Sequence, residues 1–359
     1  MRRREFVKNA VGLASLGLSG CSAARIQQQA IKPKIHNFSP ENMTVKVPKP
    51  SGTMPMGKLG STGIKVSKYG FGSHTPEELM KYPKEREHML LEGYDLGIRL
   101  FDVYPPQYET TGKYLRPIQK DIAISMFGDK PKTGTVEEDL VRIMKMFGRD
   151  HIDMVRLHSH SPARENWGVW EDLFKLKEKG MIRAVGLPIH YPEESTVVLK
   201  TYPIDFVLLP YNFYHNILYT GKKPGDFNPA IGELRRKGIG IVVMKPFASE
   251  WFISHLIQVA RQLDEGKEAS LPQAAIRYIL NSGLNPDATL GGMWYLNDVY
   301  ENVAAYFKPK MNDQEKRLLE KVKKHAVLLE DAYVPKRYAF LKRWADGSPA
   351  IDEGTDAVS

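Results

Sequence analysis

From residue 53 onward, short runs rich in β-branched residues alternate with longer stretches in which apolar residues recur at helical spacing. In the stretch 135–147, Leu140, Ile143 and Phe147 fall on one face of a helix, and the stretch 166–179 has a similar pattern. Strands separated by amphipathic helices are typical of a parallel sheet. The predicted strands cover residues 67–72, 99–102, 122–127, 152–158, 182–187, 206–209, 240–244 and 288–290.

Eight strand–helix units within roughly 250 residues favour a closed (β/α)8 barrel, or TIM barrel, over an open doubly wound sheet. The doubly wound alternative also lacks its usual signal, because no predicted strand leads into a Gly-x-Gly-x-x-Gly turn. We therefore predict a single α/β barrel domain over residues 53–310. Residues 311–359 are predicted to add a charged helix over 313–329 and a disordered tail from residue 346.

The composition excludes several other classes of protein. A single cysteine excludes a disulfide scaffold, a zinc finger and a cysteine-ligated iron–sulfur cluster. The 51 Lys and Arg residues exceed the 42 Asp and Glu residues by nine, but this excess is scattered, so we expect no nucleic-acid partner. No run of eighteen apolar residues occurs, so we predict no membrane span in the mature protein.

The N-terminus resembles an export signal followed by a lipid-attachment site. Residues 3–8 read Arg-Arg-Glu-Phe-Val-Lys, an apolar stretch follows at 10–18, and residues 18–21 read Leu-Ser-Gly-Cys. A basic head, an apolar middle and small residues at the exit are typical of signal peptides, and paired arginines are typical of the twin-arginine type. We predict that cleavage removes residues 1–20, lowering the net charge from +9 to +6, and that Cys21 then carries lipid.

These signals predict an exported protein that is lipid-anchored on the periplasmic or cell-surface side of a membrane. Residues 21–52 contain four prolines and no apolar period, so we expect them to form an extended tether between Cys21 and the barrel.

Barrel enzymes of this kind carry their chemistry at the carboxyl ends of the strands. Polar and aromatic residues follow most of the predicted strands, and we expect them to share one rim that binds a small molecule. These residues are His74, Asp102, Tyr104, Tyr108, His158, His160, His190, Asn212 and Lys245.

Several segments, in a constant order between about residues 54 and 306, resemble the aldo-keto reductase family. The resemblance implies hydride transfer between a nicotinamide cofactor and a carbonyl or alcohol, with a tyrosine as general acid. The segments are residues 56–63, similar to the hairpin that closes the barrel, and residues 97–102, 153–158, 180–186, 210–212 and 238–246, similar to individual strands and their ends.

Carried over residue by residue, the resemblance implies that Tyr108 is the general acid and that Asp102 and His158 tune it. A phenol with an ordinary pKa of about 10 is a poor proton donor near neutrality, so such tuning matters. The family also uses a lysine on the third barrel strand, and here Met126 or Phe127 stands at that point.

The same resemblance implies which residues contact the cofactor and the substrate. Residues 291–297 contain no Arg or Lys to pair with a 2′-phosphate, so NAD is slightly favoured over NADP. Pro188, Leu208 and Met244 replace polar or aromatic residues that usually hold the nicotinamide. The implied cofactor residues are Asn212, Lys245, Gly292, Met293, Glu301 and Asn302, and the implied substrate residues are His74, Tyr104, His160, His190 and Tyr211.

Two alternative functions stay open at this stage. His158 and His160 project to the same side of an extended strand, and with His190, His74 or Asp102 they could surround a divalent ion. We expect no metal, because the family resemblance already gives His158 a different role. The other alternative is a catalytically inactive barrel that binds a small molecule. Lys245 could act as a base or Schiff-base lysine, but a structural ion pair is the favoured interpretation. No sequence feature indicates an oligomeric state.

Overall fold

The computed structural model describes residues 45–72, 77–128, 131, 133–157, 168–189, 192–214, 229–248, 256–257, 260 and 269–326. Its centre is a closed barrel of parallel strands, which confirms the predicted fold class. A hairpin of β1 (Met56–Lys58) and β2 (Lys65–Ser67) precedes the barrel. The barrel strands are β3 (Tyr69–Gly72), β4 (Leu100–Val103), β5 (Ala123–Phe127), β6 (Ile152–Arg156), β7 (Ile182–Pro188), β8 (Phe206–Pro210), β9 (Gly240–Met244) and β10 (Ala288–Gly292).

Each barrel strand pairs with its neighbours in chain order, and β10 closes the ring by pairing with both β9 and β3. Parallel pairing throughout brings the carboxyl ends of all these strands to one rim. The fold therefore creates the shared rim that the sequence predicted.

The predicted first strand, 67–72, is divided in the structure. Strand β2 ends at Ser67 and β3 begins at Tyr69. The Ser67 hydroxyl donates to the Tyr69 carbonyl (2.5 Å) and accepts from the Arg99 backbone amide (2.8 Å), which fixes a change of direction between hairpin and barrel. The expectation of one continuous strand was wrong, because the chain changes partners at Lys68. Its amide donates to the Pro55 carbonyl before the hairpin (2.8 Å), and its carbonyl accepts from the Thr289 amide on β10 (2.9 Å).

Within the described ranges, the α-helices follow the barrel strands in the expected alternation. Thr135 caps α3 with a reciprocal Thr135–Glu138 capping box, and Gly148 ends it in the left-handed conformation (φ 68°). The helices are α1 (Pro83–Asp95), α2 (Tyr108–Leu115), α3 (Val136–Phe147), α4 (Trp170–Glu178), α5 (Pro192–Thr201), α6 (Pro229–Arg236), α7 (Leu271–Leu280), α8 (Leu296–Phe307) and α9 (Asp313–Ala326).

The predicted helices 135–147 and 166–179 correspond to α3 and α4, and the C-terminal charged helix corresponds to α9. The signal, most of the tether and the tail after residue 326 lie outside the described residues. Among the helices that the structure describes, none has both the length and the apolar character that a bilayer span requires.

The barrel interior is filled with side chains and closed at the bottom by the hairpin. Leu59, Ile64 and Val66 of the hairpin pack into one buried cluster with the inward residues of the strands. The strand residues in this cluster are Leu100, Ala123, Met154, Ala184, Phe206, Leu208, Val242, Met244, Ala288 and Leu290. A second, larger cluster joins the outer faces of the strands to the helices.

Gly186 on β7 allows the Phe206 ring to fill the interior beside it. A Cβ built on Gly186 would lie 2.2 Å from Phe206 Cζ, and Phe206 is fully buried. A side chain at position 186 would therefore force the ring and its neighbours to move.

We expect Gly186→Ala to lower the free energy of unfolding by about 1–3 kcal/mol, since overpacking a filled core is costly. Gly232→Ala is the matched control, because Gly232 lies on α6 and a Cβ there meets nothing within 4 Å. In that helix alanine should be neutral or stabilising by up to about 1 kcal/mol. Denaturant unfolding of both variants measures the difference, and equal stabilities would contradict the packing account.

Candidate active site

The rim is built around a buried ion pair between Asp102 on β4 and Arg156 on β6. Both guanidinium amino groups of Arg156 donate to the Asp102 carboxylate, one of them at 3.0 Å to Oδ2. Arg156 also donates to the Ser125 hydroxyl on β5 (2.8 Å). The pair is almost fully enclosed, with Arg156 1% and Asp102 3% exposed.

Strand periodicity explains why these three side chains meet. Leu100, Ala123 and Met154 belong to the interior cluster, and Asp102, Ser125 and Arg156 lie two residues further along the same strands. Side chains repeat every two residues in a strand, so all three point inward, one layer nearer the rim. The barrel thus changes from an apolar layer to a charged one at this height.

Two aromatic rings enclose the guanidinium of Arg156. Its central carbon lies 3.8 Å from the Phe127 ring centroid and 5.3 Å from that of Tyr104, and the two rings contact each other edge to face at 5.0 Å. Burial alone would lower the pKa of Arg156. The charge of Asp102, with smaller contributions from Tyr104 and Tyr108, outweighs burial and raises that pKa above its ordinary value.

Tyr108 lies at the start of α2, immediately after a short 3-10 turn at Pro105–Gln107. Its hydroxyl is 3.3 Å from both the backbone nitrogen and the carbonyl oxygen of Phe127, at the carboxyl end of β5. The structure therefore brings Asp102, Tyr104 and Tyr108, three of the predicted site residues, to one part of the rim. It also adds Arg156, to which the sequence analysis gave no role.

A strained turn follows β9. Lys245 has a positive φ of 55°, which is unusual for a residue with a side chain, and its carbonyl accepts hydrogen bonds from the Asn212 side-chain amide and the Ala248 backbone amide, both at 3.0 Å. Asn212 is fully buried, and its side-chain oxygen Oδ1 accepts from the Tyr214 backbone amide (2.9 Å). Asn212 therefore holds the backbone at Lys245, and contact with a cofactor stays a prediction for both residues.

The loop after β10 is held by residues from distant parts of the chain. Met293 is buried, and its carbonyl accepts a hydrogen bond from Arg86 on α1 (3.3 Å). The other guanidinium nitrogens of Arg86, Nε and Nη2, have no hydrogen-bond partner among the described residues. Burial lowers the pKa of Arg86 to about 9, so it remains a cation at neutral pH. Asp298 accepts from the amides of Trp294 and Tyr295.

Three further predicted residues lie toward the helices. Tyr211 is buried and stacks on Tyr278 of α7, with ring centroids 5.9 Å apart. Glu301 accepts from the Ser270 hydroxyl that caps α7 (3.1 Å), and Asn302 is buried on α8. These positions support the helix layer, and the structure does not bring them to the group formed by Asp102, Tyr104 and Tyr108.

The barrel residues that stand at the family's nicotinamide positions are apolar. Pro188 on β7, Leu208 on β8 and Met244 on β9 are all buried. Gly292, at the end of β10, is exposed, and a Cβ built there meets nothing within 4 Å, so the backbone is open to a ligand. These residues could pack against a nicotinamide ring, but their side chains offer no hydrogen bond to its carboxamide.

The histidines proposed for the rim, His74, His158, His160 and His190, lie outside the described residues, as does Cys21. In the part of the chain that the structure describes, no group of three or more His, Cys, Asp or Glu side chains could hold a metal. The metal alternative depends on the four histidines and is not tested by this observation.

Comparison with known proteins identifies the class to which the fold and site belong. The sequence profile described as "Aldo/keto reductase family" matches residues 69–324. The chain therefore belongs to the aldo/keto reductase family, a family of oxidoreductases.

The relatives share the fold at low sequence identity. L-galactose dehydrogenase of Arabidopsis thaliana is 25% identical over 287 residues, covering 69% of this chain and 86% of that protein. The holo form of an aldo-keto reductase from Bacillus halodurans is similar in structure, with a TM-score of 0.54 and 20% identity over 75% of this chain and 96% of that one. A putative aldo-keto reductase from Pseudomonas aeruginosa gives a TM-score of 0.54 and 22% identity, covering 72% and 97%.

Lys245→Gly should be more stable than Lys245→Ala by about 1 kcal/mol, because alanine keeps the cost of a left-handed backbone and glycine removes it. Both variants lose the same ammonium group, so the comparison isolates backbone strain. Denaturant unfolding measures the free energies, and an alanine variant as stable as the glycine variant would contradict the strain at this turn.

Proposed function

We propose that this protein is an exported aldo/keto reductase-type enzyme that reduces a carbonyl compound, or oxidises the corresponding alcohol, with Tyr108 as general acid. The observation that carries this proposal is the position of the Tyr108 hydroxyl, 3.3 Å from the Phe127 backbone at the rim and beside the buried Asp102–Arg156 pair. Family membership supports the reaction class.

The tyrosine would act by proton transfer to the substrate oxygen. As the carbonyl is reduced, the O–H bond of Tyr108 breaks and an O–H bond forms on the product alcohol; alcohol oxidation runs the same transfer in reverse. Negative charge then develops on the tyrosine oxygen, and a nearby cation stabilises it. His158, two residues after Arg156 in the sequence, is the residue that the family resemblance makes a second donor to the substrate oxygen.

A bound nicotinamide would supply or accept the hydride in this reaction. Pro188, Leu208 and Met244 would support the ring, and the open backbone at Gly292 would allow the rest of the dinucleotide to approach. The loop 291–297 contains no Arg or Lys, and Arg86 is only 2% exposed, so a 2′-phosphate gains no accessible cation there. NAD is therefore slightly favoured over NADP.

Tyr108→Phe should reduce turnover of a carbonyl substrate by about 10²–10⁴-fold while leaving nicotinamide binding intact, because it removes the proton donor alone. Tyr114→Phe is the matched control, since Tyr114 lies on the same helix in the core between barrel and helices. Steady-state kinetics and cofactor fluorescence titration measure the two effects. A Tyr108→Phe variant with unchanged turnover would contradict the assignment, and nicotinamide binding without turnover in the natural chain would favour the inactive-binder alternative.

We also propose that the mature chain is anchored through lipid on Cys21. Cys21→Ser should abolish incorporation of labelled palmitate and release the protein from membranes, whereas Arg3→Lys with Arg4→Lys should retain the precursor in the cytoplasm. Metabolic labelling and cell fractionation of a twin-arginine-competent host provide the measurement. Membrane association that survives Cys21→Ser would argue against this anchor.

A further inference from the structure

We propose that Arg156 on β6 replaces the lysine that the family resemblance places on β5, as the cation that stabilises the deprotonated form of Tyr108. Arg156 would be a positioning residue, because it acts on the tyrosine and does not touch the substrate. This inference rests on the proposed function for its use in turnover, and on the ion-pair geometry for its electrostatic effect.

The two residues at the lysine's point in the sequence have other roles in the structure. Met126 is 2% exposed and belongs to the cluster between barrel and helices, so it faces away from the interior. Phe127 turns its ring toward the rim, under the guanidinium of Arg156. The register pairs Phe127 with Arg156 on the neighbouring strand. The positive charge of Arg156 is therefore one strand away from the position of the family's lysine, at the same level along the barrel axis.

Arg156 forms an ion pair with Asp102. In the proposal, this pair takes the place of a contact between Asp102 and a lysine on β5. The guanidinium bonds both carboxylate oxygens of Asp102 and also the Ser125 hydroxyl, so three strands hold it in one orientation. A planar fork of this kind is less mobile than a lysine ammonium, and it is fully charged at every pH at which the enzyme would work.

Phe127 contacts both the tyrosine oxygen and the cation. Tyr108 Oη is 3.3 Å from the Phe127 backbone, and the Phe127 ring centroid is 3.8 Å from the guanidinium carbon. Tyr108 contributes to raising the pKa of Arg156, and interactions between two titrating groups are reciprocal. The same interaction therefore favours the phenolate form of Tyr108, while the charge of Asp102 and the burial of Tyr108, which is 5% exposed, oppose it.

An experiment must separate the effect of Arg156 on the ionisation of Tyr108 from the effects of the other charged and titratable groups at the rim. Among the described residues, Asp102, Tyr104 and Tyr108 all act on the guanidinium of Arg156. His158, Lys130 and Lys132 follow β6 and β5 in the chain and lie outside the described residues. A variant at position 156 must therefore be compared with one that changes Asp102, because their effects on the tyrosine should have opposite sign.

The test follows ionisation of Tyr108 directly, by NMR of protein labelled with 13C at the tyrosine Cζ, with Tyr108→Phe used to assign the signal. The reference is the midpoint of the natural chain. Arg156→Gln should raise the midpoint above that reference by at least about one pH unit, and Asp102→Asn should lower it. Arg156→Lys should stay near the reference, and adding Phe127→Lys to Arg156→Gln should return the midpoint toward it.

A purely structural role for Arg156 would leave the Tyr108 midpoint unchanged in folded Arg156→Gln, and that result would overturn the proposal. If Arg156→Gln fails to fold by circular dichroism, the double variant Asp102→Asn with Arg156→Gln is compared with Asp102→Asn alone. The proposal requires the higher midpoint in the double variant, and equal midpoints would overturn it.

The outcome for Arg156 is separable from that for the proposed function. The expected titration shifts without any carbonyl turnover or nicotinamide binding would support the electrostatic assignment and reject the reductase. If turnover depends on Tyr108 but the Tyr108 midpoint does not change on substitution of Arg156, the reductase assignment is retained and the role of Arg156 is rejected.

Discussion

The site depends on a pair of opposite charges buried together at the mouth of an otherwise apolar barrel. Removing one partner of such a pair typically costs about 3–5 kcal/mol, because the other is left charged without compensation. Apolar residues in place of both Asp102 and Arg156 would often be equally stable or more so. We interpret the pair as a functional arrangement, since its two hydrogen bonds and the adjacent Ser125 fix a cation next to Tyr108.

The packing of the barrel interior fixes the level at which Asp102, Ser125 and Arg156 lie. The hairpin residues Leu59, Ile64 and Val66 fill the bottom of the barrel, and the large Phe206 ring occupies space that Gly186 leaves open. Because the interior is filled from below, the next inward residues on β4, β5 and β6 must lie at the rim. On the opposite side, Asn212 secures the strained turn at Lys245, so that side of the mouth is also shaped by backbone hydrogen bonds.

Relatives that are 20–25% identical share this fold, and their likeness says little about individual side chains. Read along the sequence, a site without the lysine on β5 looks degenerate. In the structure, the guanidinium of Arg156 on the neighbouring strand lies over the ring of Phe127, which stands at the lysine's point. We propose that this cation serves in place of the lysine, which a comparison of sequence patterns alone would not reveal.

Periodicity along the chain was sufficient to predict the barrel and helices such as α3 and α4, because these follow from repeats of two and 3.6 residues and from parallel strand order. Periodicity did not predict the division of the first strand at Ser67, the packing of Tyr211 against Tyr278 of α7 or the contact of Arg86 with Met293. The same holds for the pairing of Arg156 with Asp102, 54 positions apart. Such contacts depend on the register between strands and on the packing of distant helices, which only the tertiary structure sets.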